Sequence, residues 1–401
     1  MELVKLLAVF LVIVLLLKLH QPLSLAVIGG VIAAILLFQI PLLTAGKVLV
    51  ASSISHETLV VILFSLYEIT YLQRILESRD QLNKTAQDLN GIFHNRRINA
   101  AMASVFVGLL PSAAASKICS SIVDSSVGDD LPVDEKAFIT SYYRHIPESF
   151  LPTYTAVILM TELSGVDMVP FILYMLPMIV VLYALGYIYL RKVPKHGELT
   201  QDVTKLQALG HLFQHLWSLF AILVLIIGFH MSVYASVGIV IVLSLVVYRI
   251  TLKEMLHFVV SAFEPSLLIS SYVIMLFKGI IEYTGILNTL AQSMSTLPIA
   301  TFLIFAVVFF IGSVIAGSKA IIAICTTMAF AAIPDGGVPL MILLMGSAYA
   351  AMQISPTHVC LFVVADYYKI ELGAMIKKTL VPIFLYWAVL FAYYLLLRGI
   401  L

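Results

Sequence analysis

Ten apolar runs, each close to twenty residues long, follow one another through this chain with mostly short polar segments between them. They lie at about 3–19, 23–43, 57–73, 137–161, 168–190, 210–230, 232–249, 263–281, 338–365 and 379–398. A helix of about 20 apolar residues crosses the hydrocarbon of a bilayer, and inside hydrocarbon the backbone N–H and C=O groups must be paired within the segment. The pattern leaves one fold class, an all-α polytopic membrane protein. Composition agrees: of 401 residues, 61% are hydrophobic and 11% charged, where soluble domains carry roughly 25% charged residues. The net charge of +1 comes from basic residues scattered over loops, not from the basic stripe of a nucleic-acid binder. Cys119, Cys325 and Cys360 sit in apolar sequence without CxxC or His/Cys spacing, so no disulfide framework, metal site or cofactor is expected. Leu3 to Leu17 has the length of a signal h-region, but no A-x-A-like site follows and Pro22 opens the next run. It is read as a retained first span.

Two further apolar stretches, 98–123 and 298–332, do not read as single spans. Pro111-Ser112 interrupts the first and Gly317-Ser318-Lys319 the second, leaving arms of roughly 12 to 15 residues, the length expected of re-entrant hairpins. With both turned back, one side collects Lys18, Arg74, Arg79, Lys84, Arg96, Arg97, Lys136, Arg191, Lys192, Lys195, Lys205, Arg249, Lys253, Lys369, Lys377 and Lys378. The other holds Lys5, Lys47 and Arg398. By the positive-inside rule the first side is cytoplasmic and both termini of this cell-membrane protein face out.

The two halves repeat one another. AASKICSS at 114–121 lies opposite AGSKAIIAICTT at 316–327, SHETLVV at 55–61 opposite FEPSLLI at 263–269, and LNKTAQ at 82–87 opposite LNTLAQ at 287–292. LPTYTAVI at 151–158 lies opposite SPTHVCLF at 355–362, and VPFILY at 169–174 opposite VPIFLY at 381–386. The offsets run from about 202 to 212 in unbroken order. Five crossings per half make the second copy enter from the opposite side, the inverted arrangement of secondary transporters. Residues 73–97 space their apolar side chains as an amphipathic helix on the membrane surface, with 282–297 as its counterpart on the other face.

A small-residue hairpin tip followed by a proline-broken helix, once per inverted half and preceded by an in-plane arm, resembles the ion transporter superfamily. That group holds citrate, dicarboxylate and gluconate permeases, and the chain is most similar to its branch of roughly 400-residue integral membrane proteins. The resemblance implies a homodimer in which an elevator-type transport domain moves against a fixed scaffold. Scaffold would be 1–72 and 210–281, arms 73–97 and 282–297, transport parts 98–190 and 298–401, and 191–209 the cytoplasmic linker. The dicarboxylate branch carries Ser-Asn-Thr at both tips, where the residues help bind sodium and a carboxylate. Here Ser116-Lys117-Ile118 and Ser318-Lys319-Ala320 stand instead, which speaks against sodium coupling.

A lysine near the bilayer centre costs about 2.5–3.5 kcal/mol and normally faces the bundle interior, pairs, or marks a pathway. Each of these two can occupy a cation position or neutralise an anion; the alternative is that each snorkels to an interface. The broken helices add polar groups. Pro147, Pro152 and Pro356 free carbonyls, and Arg144, His145, Glu148, Thr153, Ser355, Thr357 and His358 stand around them. Ser112, Ser116, Lys117, Thr153, Gly317, Ser318, Lys319, Ser355 and Thr357 are the substrate-binding candidates. Arg144, His145, Glu148 and His358 are the coupling candidates, histidine because it titrates near neutral pH, although Arg144 and Glu148 also have the spacing of a local helix pair. The reading is a transporter of a small anionic solute, proton-coupled or exchanging. An anion channel is the alternative, and an intramembrane enzyme the weaker one, for want of GxSxG, HExxH or paired aspartates.

Overall fold

The computed structural model describes residues 2–81, 84–85, 95–109, 115–195, 205–286, 298–356 and 358–401, and all regular structure among them is helical. The first half runs α1 (Glu2–Lys18), α2 (Leu23–Leu37), α3 (Leu42–Ser53), then a π-helical segment Glu57–Phe64 that continues into α4 (Ser65–Ser78). It goes on with α5 (Arg96–Gly108), α6 (Ala115–Val127), α7 (Val133–Arg144), α8 (Thr155–Ser164) and α9 (Met168–Leu190). The second half repeats the order: α10 (Lys205–Leu223), α11 (Val233–Val247), α12 (Leu252–Ser261), α13 (Pro265–Tyr283), α14 (Thr301–Ala316), α15 (Ser318–Ala332), α16 (Gly337–Met352), α17 (Val359–Tyr368) and α18 (Leu372–Arg398). Among the described residues five helices are long and apolar enough to cross a membrane: Glu57–Ser78, Met168–Leu190, Leu206–Gly228, Pro265–Tyr283 and Leu372–Arg398. The protein is therefore multi-pass.

The backbone records the duplication beyond the matched words of sequence. Left-handed residues close α1 and the π-helical end of α10 at His20 and His230, α2 and α11 at Gln39 and Arg249, and α8 and α17 at Gly165 and Lys369. Asp80 and Gly285 do the same after α4 and α13. A side chain at positive φ costs roughly 1–2 kcal/mol, so this matching reflects the same turns kept under different residues.

The halves interlock by exchanging neighbours. α4 packs on α11 and α13 on α2, α6 on α17 and α15 on α8, α7 on α18 and α16 on α9. Glu135 at the start of α7, buried, accepts from Lys192 at 2.6 Å and from Lys378 at 3.1 Å, tying the end of α9 and α18 to it. At the C-terminal end of the third span Arg79 reaches Glu254 at 2.8 Å and Arg74 reaches Glu264 at 2.9 Å. The Arg79 hydrogen bond, with the Thr251 capping box, holds the Glu254 carboxyl down at about 2.

Two differences from the sequence reading follow from local chemistry. The run at 23–43 stops as a helix at Leu37, and Pro41, lacking an N–H, starts the separate helix α3. Its counterpart α12 lies in the segment between the apolar runs at 232–249 and 263–281. Residues 73–78 continue the third span instead of opening a new arm, and 82–83, 86–94 and 287–297 of the two expected arms lie outside the described residues. The stretches 98–123 and 298–332 are each two packed helices, α5 with α6 and α14 with α15.

Candidate functional site: a cavity at the two helix breaks

Arg144 ends α7, and Pro147 allows only a 3-10 turn, Ile146–Ser149, before the chain runs irregularly to Tyr154 and re-enters helix at Thr155. In the second half α16 ends at Met352 and α17 begins at Val359, with Pro356 between. Each break is fastened to the hairpin of its own half. Tyr154 Oη donates to the Gly108 carbonyl at the end of α5, and Ser355 Oγ donates to the Val314 carbonyl near the end of α14 at 2.9 Å. Gln353 Nε2 donates to Tyr142 O at 3.2 Å and so joins one break to the other.

Between the breaks the two halves meet through side chains. His145 Nε2 and His358 Nε2 lie 2.9 Å apart. Arg144 Nη1 donates to His145 Nε2 at 2.9 Å and to Glu148 Oε1 at 3.3 Å, and both Arg144 and His145 are buried. By distance alone His145, His358 and Cys360, whose donor atoms fall within 4.8 Å of one another, could share an ion. The Arg144 guanidinium, 2.9 Å from His145 Nε2, would repel a cation placed there, so the three do not form a ligand set.

This group opens on a cavity of about 680 Å³. One wall is Arg144, Glu148, Thr153 and Tyr154; another is Gly317, Ser318 and Lys319 from the second hairpin's tip; Ser355, His358 and Cys360 close it. Ile69, Thr70 and Gln73 of α4 and Ser270, Ser271 and Ile274 of α13 face them across the space. Thr153 Oγ1 is buried and makes no hydrogen bond among the described residues.

The sequence candidates divide. Lys319, Thr153, Gly317, Ser318, Ser355, Arg144, Glu148 and His358 line the cavity, and His145 backs it. Lys117 does not line it: the side chain is exposed, and its charge acts on Asp366 near the end of α17. Ser116, beside it, is buried with its hydroxyl unpartnered among the described residues. Pro147 and Pro152 are buried and Pro356 is exposed; Ser112 and Thr357 lie outside the described residues. Tyr154 and Cys360 were missed. Tyr154 stands opposite His358 in the aligned LPTYTAVI and SPTHVCLF, so the repeat itself held the signal.

Gly317 makes the tip. At φ 87° and ψ 146° it bends the chain between α14 and α15 in a region nearly restricted to glycine. Gly317→Ala is expected to cost about 1–3 kcal/mol, read as a lower midpoint of thermal unfolding in detergent.

Comparison with known proteins follows this geometry. A crystal structure of the YdaH transporter of Alcanivorax borkumensis, described as having an unusual topology, superposes with a TM-score of 0.64 over 90% of this chain and 88% of that one, at 12% identity. The likeness shows a shared fold. A search of curated protein sequences found no match. The family model described as "Protein of unknown function (DUF401)" matches residues 2–397, and the chain belongs to that family.

Proposed function

We propose that this protein is a secondary active transporter of a small, carboxylate-like anion, working by elevator-type alternating access as a homodimer of the ion transporter superfamily. The observation that carries the reading is the convergence of Arg144 and Lys319 on one cavity where both helix breaks meet. Freed backbone and half-helix ends at such breaks suit a midplane substrate site, and the shared fold of a transporter supports it. Helices of 13, 13, 16 and 15 residues in the two hairpins, at 1.5 Å per residue, fall short of the ~30 Å hydrocarbon core, in keeping with re-entrant segments. The α4 and α13 wall belongs to the scaffold, and the hairpins, breaks, α9 and α18 to the moving part. An ammonium at the tip takes the role that sodium would play, so transport is sodium-independent and coupled to protons or to exchange.

Counterflow in proteoliposomes, with labelled succinate, benzoate or acetate, tests the reading. Saturable exchange without sodium is expected. Losing a charge-assisted contact costs about 1.5–3 kcal/mol, so Lys319→Gln is expected to cut the exchange rate at low substrate by about 10- to 100-fold, while Lys117→Gln stays within about twofold. Unsaturable conductance would indicate a channel, and product formation an enzyme. Equal losses in the two lysine variants would sink the assignment of this cavity.

A further inference from the structure

The histidine pair has a proton arrangement that hydrogen-bond chemistry fixes. The Ser141 carbonyl oxygen only accepts, so the neighbouring His145 Nδ1 carries a hydrogen and donates it. A guanidinium only donates, so Arg144 Nη1, at 2.9 Å, makes His145 Nε2 an acceptor. His145 is thus a neutral Nδ1–H ring. His358 Nε2, 2.9 Å from the same atom, presents N–H to it and shares that lone pair with Arg144 in a three-centre bond, because two facing lone pairs repel. The remaining lone pair belongs to His358 Nδ1, on a ring that lines the cavity, and that atom makes no hydrogen bond among the described residues.

The charges facing His358 decide what can join it. Arg144, His145 and Glu148 act on it from the first break and Lys319 from the tip, with the Cys360 thiol beside it. A proton arriving alone meets the positive charges of Arg144 and Lys319. Glu148 is engaged by Arg144, so an anion meets Lys319 as uncompensated positive charge. Once bound, it cancels the charge that opposes the proton.

We propose that His358 Nδ1 is a proton site that fills only with the transported anion, held between the protonated ring and the Lys319 ammonium. The step forms one N–H bond and breaks one O–H bond of a hydronium ion entering from solvent, leaving water, and breaks none in the protein. His145 is a positioning residue: by accepting from Nε2–H it aims the basic nitrogen at the cavity. A monovalent anion then moves with one proton, without net charge. This inference rests on the anion-transporter reading above.

By linkage, whatever the proton does for the anion the anion does for the proton. With the full chain in nanodiscs and acetate, benzoate and succinate as probes, an indicator dye in weak buffer is expected to report about one proton taken up per anion bound. Apparent Kd is expected to rise about tenfold per pH unit through the alkaline limb. His358→Gln, or His358→Asn should the first not fold, is expected to bind more weakly with no pH slope. His145→Asn is expected to keep the slope and shift its position, which loss of packing alone would not do. Anion binding without proton uptake, or uptake that survives both His358 variants, overturns the proposal and leaves the anion site standing. Failure of all three probes to bind the wild type overturns both.

Discussion

Arg144→Gln is expected to remove transport by at least about 100-fold and to cost about 3–5 kcal/mol of stability, the usual cost of breaking a buried ion pair from one side. The arginine is 3% exposed and its partner Glu148 15% exposed, so the abandoned carboxylate has little water to turn to. The same guanidinium holds His145 Nε2 and lines the cavity, so its structural and electrostatic roles fall together. A second substitution separates them. In Arg144→Gln with Glu148→Gln no unpaired charge is left behind, and the thermal midpoint is expected to recover while transport stays lost. Transport by the double variant at the wild-type rate would make the arginine purely structural. Arg144→Lys is expected to rescue little, because a compact, strongly hydrated ammonium is costlier to bury than the planar, weakly hydrated guanidinium.

The second large effect is expected from Gly108→Ala. A Cβ there would lie 2.1 Å from the Arg144 carbonyl oxygen, and a backbone atom cannot rotate away as a side chain can. α5 would have to withdraw from the break, taking with it the carbonyl that accepts from Tyr154. Overpacking of this kind costs about 1–3 kcal/mol, more where backbone resists, and the expected result is little folded protein. Gly46→Ala and Gly373→Ala are the controls, since nothing lies within 4 Å of the added carbon. In those helices alanine is expected to be neutral or to stabilise by about 0.5–1 kcal/mol. Equal yields of folded protein from Gly108→Ala and the controls would show that α5 can withdraw from the break without loss of the fold.

Much of the architecture was legible because bilayer crossing and duplication leave long-range patterns. Length and apolarity mark the runs, and matched segments in constant order mark the halves. The short helices α3 and α12 were not legible: Leu42 and Leu43 extend the run before them, and 250–262 is too short and mixed to announce itself. The roles of single side chains were harder still. Lys117 and Lys319 have the same local sequence and matched positions, yet only Lys319 lines the cavity. Local pattern is blind to this, because which face of a hairpin looks inward depends on the partner helix it packs against.

Sequence by itself determined the helical membrane class, the breaks at Pro147, Pro152, Pro356 and Gly317, and the doubling, since each follows from backbone chemistry or from order along the chain. Tertiary structure alone decided which residues meet. His145 and His358 are 213 positions apart and come together because the halves cross, with α15 against α8 and α6 against α17. Proximity of that kind is a property of packing, in which each half supplies the wall that the other lacks. No spacing rule within one helix encodes it.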